Sequence, residues 1–477
     1  MGSESKDLEM AYEDRISKLP NEIQCEILSR LSTKDAATTS VLSRGWRHKW
    51  TALADLDLHT RRTVNPKPFL DFVSRAVTVR SFPSIKRFRL QIEGDCPSSS
   101  LKSWIEAAVS YKIEELDLCI NQGGVAVPGH LFSCGSVKVL KLQGRGCFID
   151  KIYFPETICM PNLKILHLVA IEYPGDSTIG RLLSCLFNLQ ELIMYRLMDF
   201  HNKCKTIHIQ SSSLKVIKLN MWSGCYMKNT RVVVDAPKLE FLELLSLHCL
   251  IVDIKANSCS IVHAALYLNS YLSYHPKDAA IQSAALQFIS NISTTVKVLT
   301  LSPDILQDIF DASTKNVPSF PNLNHLVLRT FQSGMSNLLH MLRILPNLKV
   351  LALNKVHKQF FPSEYWDDEQ NAVPQCLNSS IERFEFKGYS GCSGDVKILE
   401  YIVRNAKALK EFYVLAFSSD DSEEPFKEEL LNKLSVLPKT CQVKIEHSIS
   451  TALDPKVALI RMGTRESCSN NAAKLCS

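Results

Sequence analysis

An α/β chain is predicted, in which a small N-terminal bundle of three short helices precedes a curved solenoid of stacked repeats. Three observations lead there. A leucine frame recurs at a nearly constant interval through most of the 477 residues. The stretch before it lacks that frame and carries apolar residues at helical spacing instead. The composition, 45% hydrophobic and 22% charged, supplies a sizeable core and excludes disorder of the whole chain.

The helical stretch comes first. Pro20 suits the opening turn of a helix, Glu22 suits its positive end, and Ile23, Ile27, Leu28 and Leu31 share one face. Ser32 or Thr33 caps a second short helix carrying Ala36, Ala37 and Val41. Ser43 caps a third, on which Trp46, Trp50 and Leu53 fall at i, i+4 and i+7. So small a unit cannot enclose all of Leu19, Pro20, Ile23, Ile27, Leu31, Val41, Leu42, Trp46 and Trp50. Either part of this set faces water and awaits a partner, or it packs against the repeats that follow. Spacing alone leaves both open.

The repeats come next. The frame L-x-x-L-x-L, with apolar exchanges, stands at Leu163/Leu166/Leu168, Leu189/Leu192/Met194, Leu214/Ile217/Leu219 and Leu239/Leu242/Leu244. It continues at Val296/Leu299/Leu301, Leu323/Leu326/Leu328 and Leu348/Leu351/Leu353. Weaker copies begin at Ile85, Ile113, Val137, Ile261, Ile381 and Leu409. From position 137 the intervals run 26, 26, 25 and 25, within the 20 to 29 of leucine-rich repeats. The closing L-x-L is a short strand whose alternate side chains point inward, and only stacking hides the apolar edge of each unit. Pro-Asn-Leu at 161, 321 and 346 supplies the turn into the strand. Between strands, residues such as Ile179, Leu182, Leu183 and Leu186 predict a helix or an irregular turn on the convex side. Two longer steps, 35 residues from Ile261 and 33 from Leu348, mark insertions or a misplaced frame.

With these residues in view, the block at 14–58 resembles an F-box of the plant type. Asp14, Ile16, Ser17, Leu19, Pro20, Ile23, Ile27, Leu28, Leu31 and Asp35 match its first part. Ser40-Val41-Leu42-Ser43, Trp46, Arg47 and Trp50 match the second. Gly45, where Lys or Arg is usual, and Cys25 depart from it. Further on, Trp366, Val373 to Leu377, Ile381, Phe384, Tyr389, Gly391 and the run from Leu399 to Lys410 resemble the FBD module of plant F-box proteins. Asp395 stands there where that family often has Glu. The expected organisation is a loose N-terminus at 1–13, an F-box at 14–58, leucine-rich repeats at 80–360, an FBD-like part at 365–446 and a loose tail at 447–477.

The F-box resemblance implies a non-catalytic subunit of a cullin-based E3 ubiquitin ligase. Leu19, Pro20, Ile23, Ile27, Leu31, Val41, Leu42, Trp46 and Trp50 would contact a Skp-type adaptor, which leads to a cullin, and the repeats would hold a target protein. Trp46 and Trp50 are then the large anchors. Two other readings remain: a receptor whose concave face takes a small molecule, and an interaction protein acting outside a ligase.

Catalytic motifs are not found. Gly144-Arg145-Gly146 lacks the third glycine of a dinucleotide loop. Gly388-Tyr389-Ser390-Gly391-Cys392 misses the nucleophile elbow at its last place. His201, Cys204 and His208 lack a fourth ligand nearby, and Ile207-His208-Ile209 reads as a strand. No cofactor or metal is expected. The sixteen cysteines are scattered and follow a polar N-terminal stretch, as in a reducing cytoplasmic and/or nuclear setting. A net charge of +6 gives no general nucleic-acid affinity, and no apolar stretch is long enough to span a membrane. Arg44, Arg47, His48, Lys49, Arg61 and Arg62 make the F-box end basic. Asp420, Asp421, Glu423 and Glu424 form an acidic loop.

Overall fold

The computed structural model describes residues 16–60, 67–78, 85–93, 96–120, 127–144, 150–151, 154–169, 171–172, 177–198, 206–223, 230–245, 250–255, 260–267, 279–302, 305, 318–330, 338–355, 373–417 and 441–448. The termini expected to be loose, the acidic loop at 420–424, Trp366, His201, Cys204, Arg61 and Arg62 lie outside the described residues. Of the expected tail, 447 and 448 are in a strand. The chain divides into two compact units, Met1–Leu163 and Lys164–Ser477.

In the first unit, helices α1 (Asn21–Ser29) and α2 (Thr33–Thr38) are followed by 3-10 turns at Thr39–Val41 and Lys49–Ala52. The third helix predicted from Ser43 does not form as an α-helix. Trp46 N–H bonds Ser43 O and Lys49 N–H bonds Trp46 O, so the segment closes through i, i+3 turns. Four parallel strands follow: β1 (Asp55–His59), β2 (Arg87–Ile92), β3 (Glu115–Ile120) and β4 (Val139–Gly144). Helix α3 (Lys67–Thr78) connects β1 to β2, and α4 (Ser98–Ser110) connects β2 to β3. The leucine frame sets the register: Leu56, Phe88, Leu116 and Leu140 stand in one buried row, and Leu58, Leu90, Leu118 and Leu142 in the next. Strand β1 was not among the frames read from the sequence, although Leu53, Leu56 and Leu58 spell one.

The second unit holds eleven described strands in one parallel sheet, from Ile165–Val169 to Gln442–Ser448. Frame leucines again align from repeat to repeat, as in Leu166–Leu192–Ile217–Leu242–Ala264–Leu299–Leu326–Leu351–Phe384–Phe412. The two long steps therefore keep the frame. One holds the helix Ala279–Ile292.

The turns entering the strands do more than reverse the chain. In Pro-Asn-Leu the asparagine amide donates to a carbonyl of the preceding repeat: Asn162 to Gly135 at 2.7 Å, Asn322 to Thr294 at 2.6 Å, Asn347 to Pro321 at 2.8 Å. Serine does the same elsewhere, Ser136 to Ile113, Ser213 to Leu189 and Ser260 to Leu239, each at 2.8 Å. Each bond satisfies a carbonyl that the strand ladder leaves open.

Return segments differ from the expectation in one place. Ser177–Ser184 is the helix that Ile179, Leu182 and Leu183 predict. The next three returns, Thr206–Gln210, Thr230–Asp235 and Leu250–Ile254, are strands of a second parallel sheet; the first agrees with the strand read at Ile207-His208-Ile209, and the other two stand where a helix or irregular turn was expected. Ile207, Ile209, Val232, Val234 and Val252 are its buried side, and β-branched residues at period two favour a strand.

Candidate functional site

The candidate site is the helical block that precedes β1. Pro20 is the N-cap of α1 and is exposed. One turn inward, Gln24 is buried and donates its amide to the carbonyls of Ile16 (3.3 Å), Ser17 (3.1 Å) and Leu19 (2.7 Å). That fork fixes the turn carrying Leu19, which is half-buried, and Ser17 meets Ser43 at 3.0 Å. Gln24 was not singled out from the sequence, where a lone glutamine on an amphipathic helix reads as solvent-facing.

Helix α2 is capped as expected: Ser32 Oγ accepts from Asp35 N–H at 3.1 Å and donates to the Asp35 carboxylate at 2.7 Å. Thr33 is buried, and its hydroxyl accepts from Asp57 N–H at 2.8 Å, which joins α2 to β1. Leu28, Ala36 and Trp46 are the core of the block, with Trp50 and Leu53 packed against it.

Trp46 is therefore corrected as an anchor. It is 1% exposed, enclosed by its own chain. The turn from Ser43 lets the indole drop between α1 and α2, and two short helices need one large ring to fill the space between them. Trp50 is half-buried, its ring 6.1 Å from that of Phe72 on α3. The Trp46 indole is thus not free to insert into another molecule, whereas Trp50 keeps part of its ring exposed.

What remains outside is aliphatic. Ile23 and Ile27 on α1 and Leu31 just past its end are exposed, beside buried Gln24 and Leu28. Val41 is 87% and Leu42 58% exposed at the end of the second helical segment. Ile16, not in the expected set, is 52% exposed. Around them Arg44, Arg47 and His48 face water, and Lys49 Nζ donates to Asn21 Oδ1 at 2.6 Å. The block thus presents apolar surface in a basic surround. Contiguous exposed apolar surface of this kind generally marks a docking site.

The remaining candidates resolve structurally. Ser390 donates its hydroxyl to the Asp395 carboxylate (2.9 Å) and accepts from Lys355 Nζ (2.9 Å). Lys355 is 3.0 Å from both carboxylate oxygens of buried Asp395, and the Ser390 N–H donates to the same carboxylate at 2.8 Å. Gly388 (φ 87°) and Gly391 (φ 74°) permit the turn that brings these groups together. This is a lock between a strand and the helix Ser393–Asn405, not a nucleophile elbow. Lys355 carried no signal in the sequence, because an isolated lysine after a leucine frame reads as solvated. His208 lies on the exposed side of its strand, and no metal-binding cluster occurs among the described residues. No described helix is long and apolar enough to cross a membrane.

Comparison with known proteins adds three matches. An F-box domain model covers residues 16–55, and an FBD model covers 369–413. The leucine-rich repeats of FBD-associated F-box protein At5g56370 match residues 101–308. Among curated relatives from Arabidopsis thaliana, F-box/FBD/LRR-repeat protein At4g26340 is 27% identical over 89% of this chain and 97% of its own length. FBD-associated F-box protein At1g66310 is 29% identical over 91% and 96%. F-box/LRR-repeat protein 13 is 27% identical over 89% and 94%.

Proposed function

From the premise that the chain is a plant-type F-box/leucine-rich-repeat protein with a C-terminal FBD module, we propose that it is the substrate-recognition subunit of a Skp–cullin–F-box E3 ubiquitin ligase. The observation carrying this is the exposed aliphatic surface of Ile23, Ile27, Leu31, Val41 and Leu42 on a block whose core is otherwise closed. A Skp-type adaptor covers that surface, with Leu19 and Pro20 at its edge. Trp46 and Trp50 act from beneath, by holding α1, α2 and the connecting turns in place. The cationic surround speeds encounter with an acidic adaptor.

The protein then works without bond chemistry of its own. The adaptor links it to a cullin, the repeats hold a target protein, and a target lysine is brought within reach of a charged conjugating enzyme. The nine described cysteines are free thiols, and the setting proposed for the chain is cytoplasmic and/or nuclear. The test is co-expression of the tagged chain with a Skp-type adaptor and a cullin. Recovery of all three in one complex is expected. A chain that purifies folded and leaves the adaptor behind overturns the proposal.

A further inference from the structure

The large sheet of the second unit ends on the strand Gln442–Ser448, which among the described residues has one neighbour, Glu411–Phe417. Gln442 N–H donates to the Lys410 carbonyl at 2.7 Å. In a parallel ladder every second residue repeats that bond, so the backbone groups of Gln442, Lys444 and Glu446 serve the neighbour. Those of Val443, Ile445 and His447 then point out of the sheet at its edge. The apolar rows end unfinished as well. Val443 continues the row of Phe412 and Ile445 that of Val414, both of which are buried. Val443 is nevertheless 37% exposed, and Ile445 is half-buried. A terminal repeat of a solenoid needs something to cover it.

Proteins commonly blunt such an edge with a proline, a bulge or an unpaired lysine. Here the register runs unbroken through all seven residues, and no proline occurs among them. The lysine is matched. Lys444 forms an ion pair with Glu446, which accepts from the Tyr413 hydroxyl at 2.7 Å, and Lys444 Nζ lies 5.8 Å from the Tyr413 ring. Both charged groups are thereby positioned beside the open edge, and their side chains remain 70% and 43% exposed.

The order Lys444-Ile445-Glu446 is self-complementary. Laid antiparallel to a second copy with Ile445 opposite Ile445, the strand sets Lys444 opposite Glu446 in both directions. Val443 then stands opposite His447, so every outward backbone group meets another. Three such pairs, exchanging two bonds each, give about six backbone hydrogen bonds. Centring the pair on Lys444 or on Glu446 sets like charges face to face, which is destabilising. We propose that this edge is a homodimer interface, formed by Gln442–Ser448 of two copies running antiparallel about Ile445. The contact is isologous, so it uses up both edges and assembly stops at two. Such a dimer carries two helical blocks and two sets of repeats, and its formation does not depend on the ligase reading.

Sedimentation velocity of the full-length chain over a range of concentrations tests this, with a reversible dimer expected. Lys444→Glu and Glu446→Lys should each weaken it about tenfold, because each sets two like-charge pairs across the dyad. An equimolar mixture of the two variants should restore it. That recovery cannot arise within one strand, since each variant chain carries like charges at both positions. Ile445→Pro removes an N–H that points outward, so it should abolish the dimer and leave the ladder to Glu411–Phe417 in place. The mixing experiment keeps the proposal falsifiable should the proline variant fail to fold. A chain that stays monomeric overturns the proposal, as does a mixture no tighter than either variant alone. Slow hydrogen exchange at Val443, Ile445 and His447 in a monomer would assign the edge to the chain's own tail and overturn it too.

Discussion

Val41 and Leu42 offer the sharpest test of the adaptor surface. Truncating both to alanine removes two carbons from one side chain and three from the other. Each buried methylene contributes about 0.8 kcal/mol on transfer from water. Scaling by exposures of 87% for Val41 and 58% for Leu42, covering the deleted groups is worth about 1.4 kcal/mol at each position. Together the two truncations should cost about 3 kcal/mol of binding, roughly a hundredfold in Kd. Titration calorimetry of the full-length chain against a purified Skp-type adaptor measures this. The thermal midpoint should stay within about a degree, because the deleted carbons make few contacts in the free protein. An unchanged Kd refutes the reasoning, and so does a large drop in stability.

Other expectations follow from the same structure. Trp46→Ala should destabilise the first unit by roughly 3–5 kcal/mol in chemical denaturation, as loss of a buried indole does; intact stability with lost adaptor binding would restore it as an anchor. Asp395→Ala leaves Lys355 buried without its partner and should cost about 3–5 kcal/mol. The pair Lys355→Met with Asp395→Asn, which keeps an acceptor for Ser390, should recover most of that loss; no recovery contradicts the lock. Burial holds His263 below the ordinary imidazole value, helped by the charges of His325 and Lys218. Burial likewise lowers His325, against the opposing pull of Glu385. Both are neutral in the folded protein at pH 7, and the unfolded chain takes up their protons first. Their contribution is therefore full above about pH 6.5 and declines as pH falls below it. The urea midpoint should drop between pH 7 and 5.5, with a shallower slope in His263→Gln, His325→Gln protein. Burial pushes the Cys96 and Cys376 thiols up to about 11, so maleimide at pH 7 should label exposed Cys25 and Cys159 long before them.

The repeats were legible because their signal is redundant. A leucine at each frame position is answered by another one strand away, so the register of Leu326 against Leu351 follows from spacing alone. Strand β1 escaped only because Leu53, Leu56 and Leu58 overlap the helical block, whose own pattern claimed Leu53. Of the second sheet only the strand at Ile207-His208-Ile209 was legible, because Val232 to Val234 is too short to fix a period across neighbouring returns.

The docking surface was legible in part. Helical spacing put Ile23, Ile27, Leu28 and Leu31 on one face; Ile23 and Ile27 of α1 and Leu31 just beyond it are exposed, whereas Leu28 turns into the core. It misplaced Trp46, since the segment from Ser43 turns instead of coiling and i, i+4 spacing loses its meaning there. Polar groups that act through tertiary contact, such as Gln24 and Lys355, leave no local pattern. Their partners lie up to forty residues away.

The central claim is that aliphatic surface on α1 and at Val41–Leu42, not an indole, receives the adaptor. A structure of the full-length chain bound to a Skp-type adaptor tests it most directly. Val41, Leu42, Ile23, Ile27 and Leu31 should lose their exposure to the adaptor, while Trp46 touches only its own chain. An adaptor seated elsewhere, with Val41 and Leu42 still facing water, would contradict it.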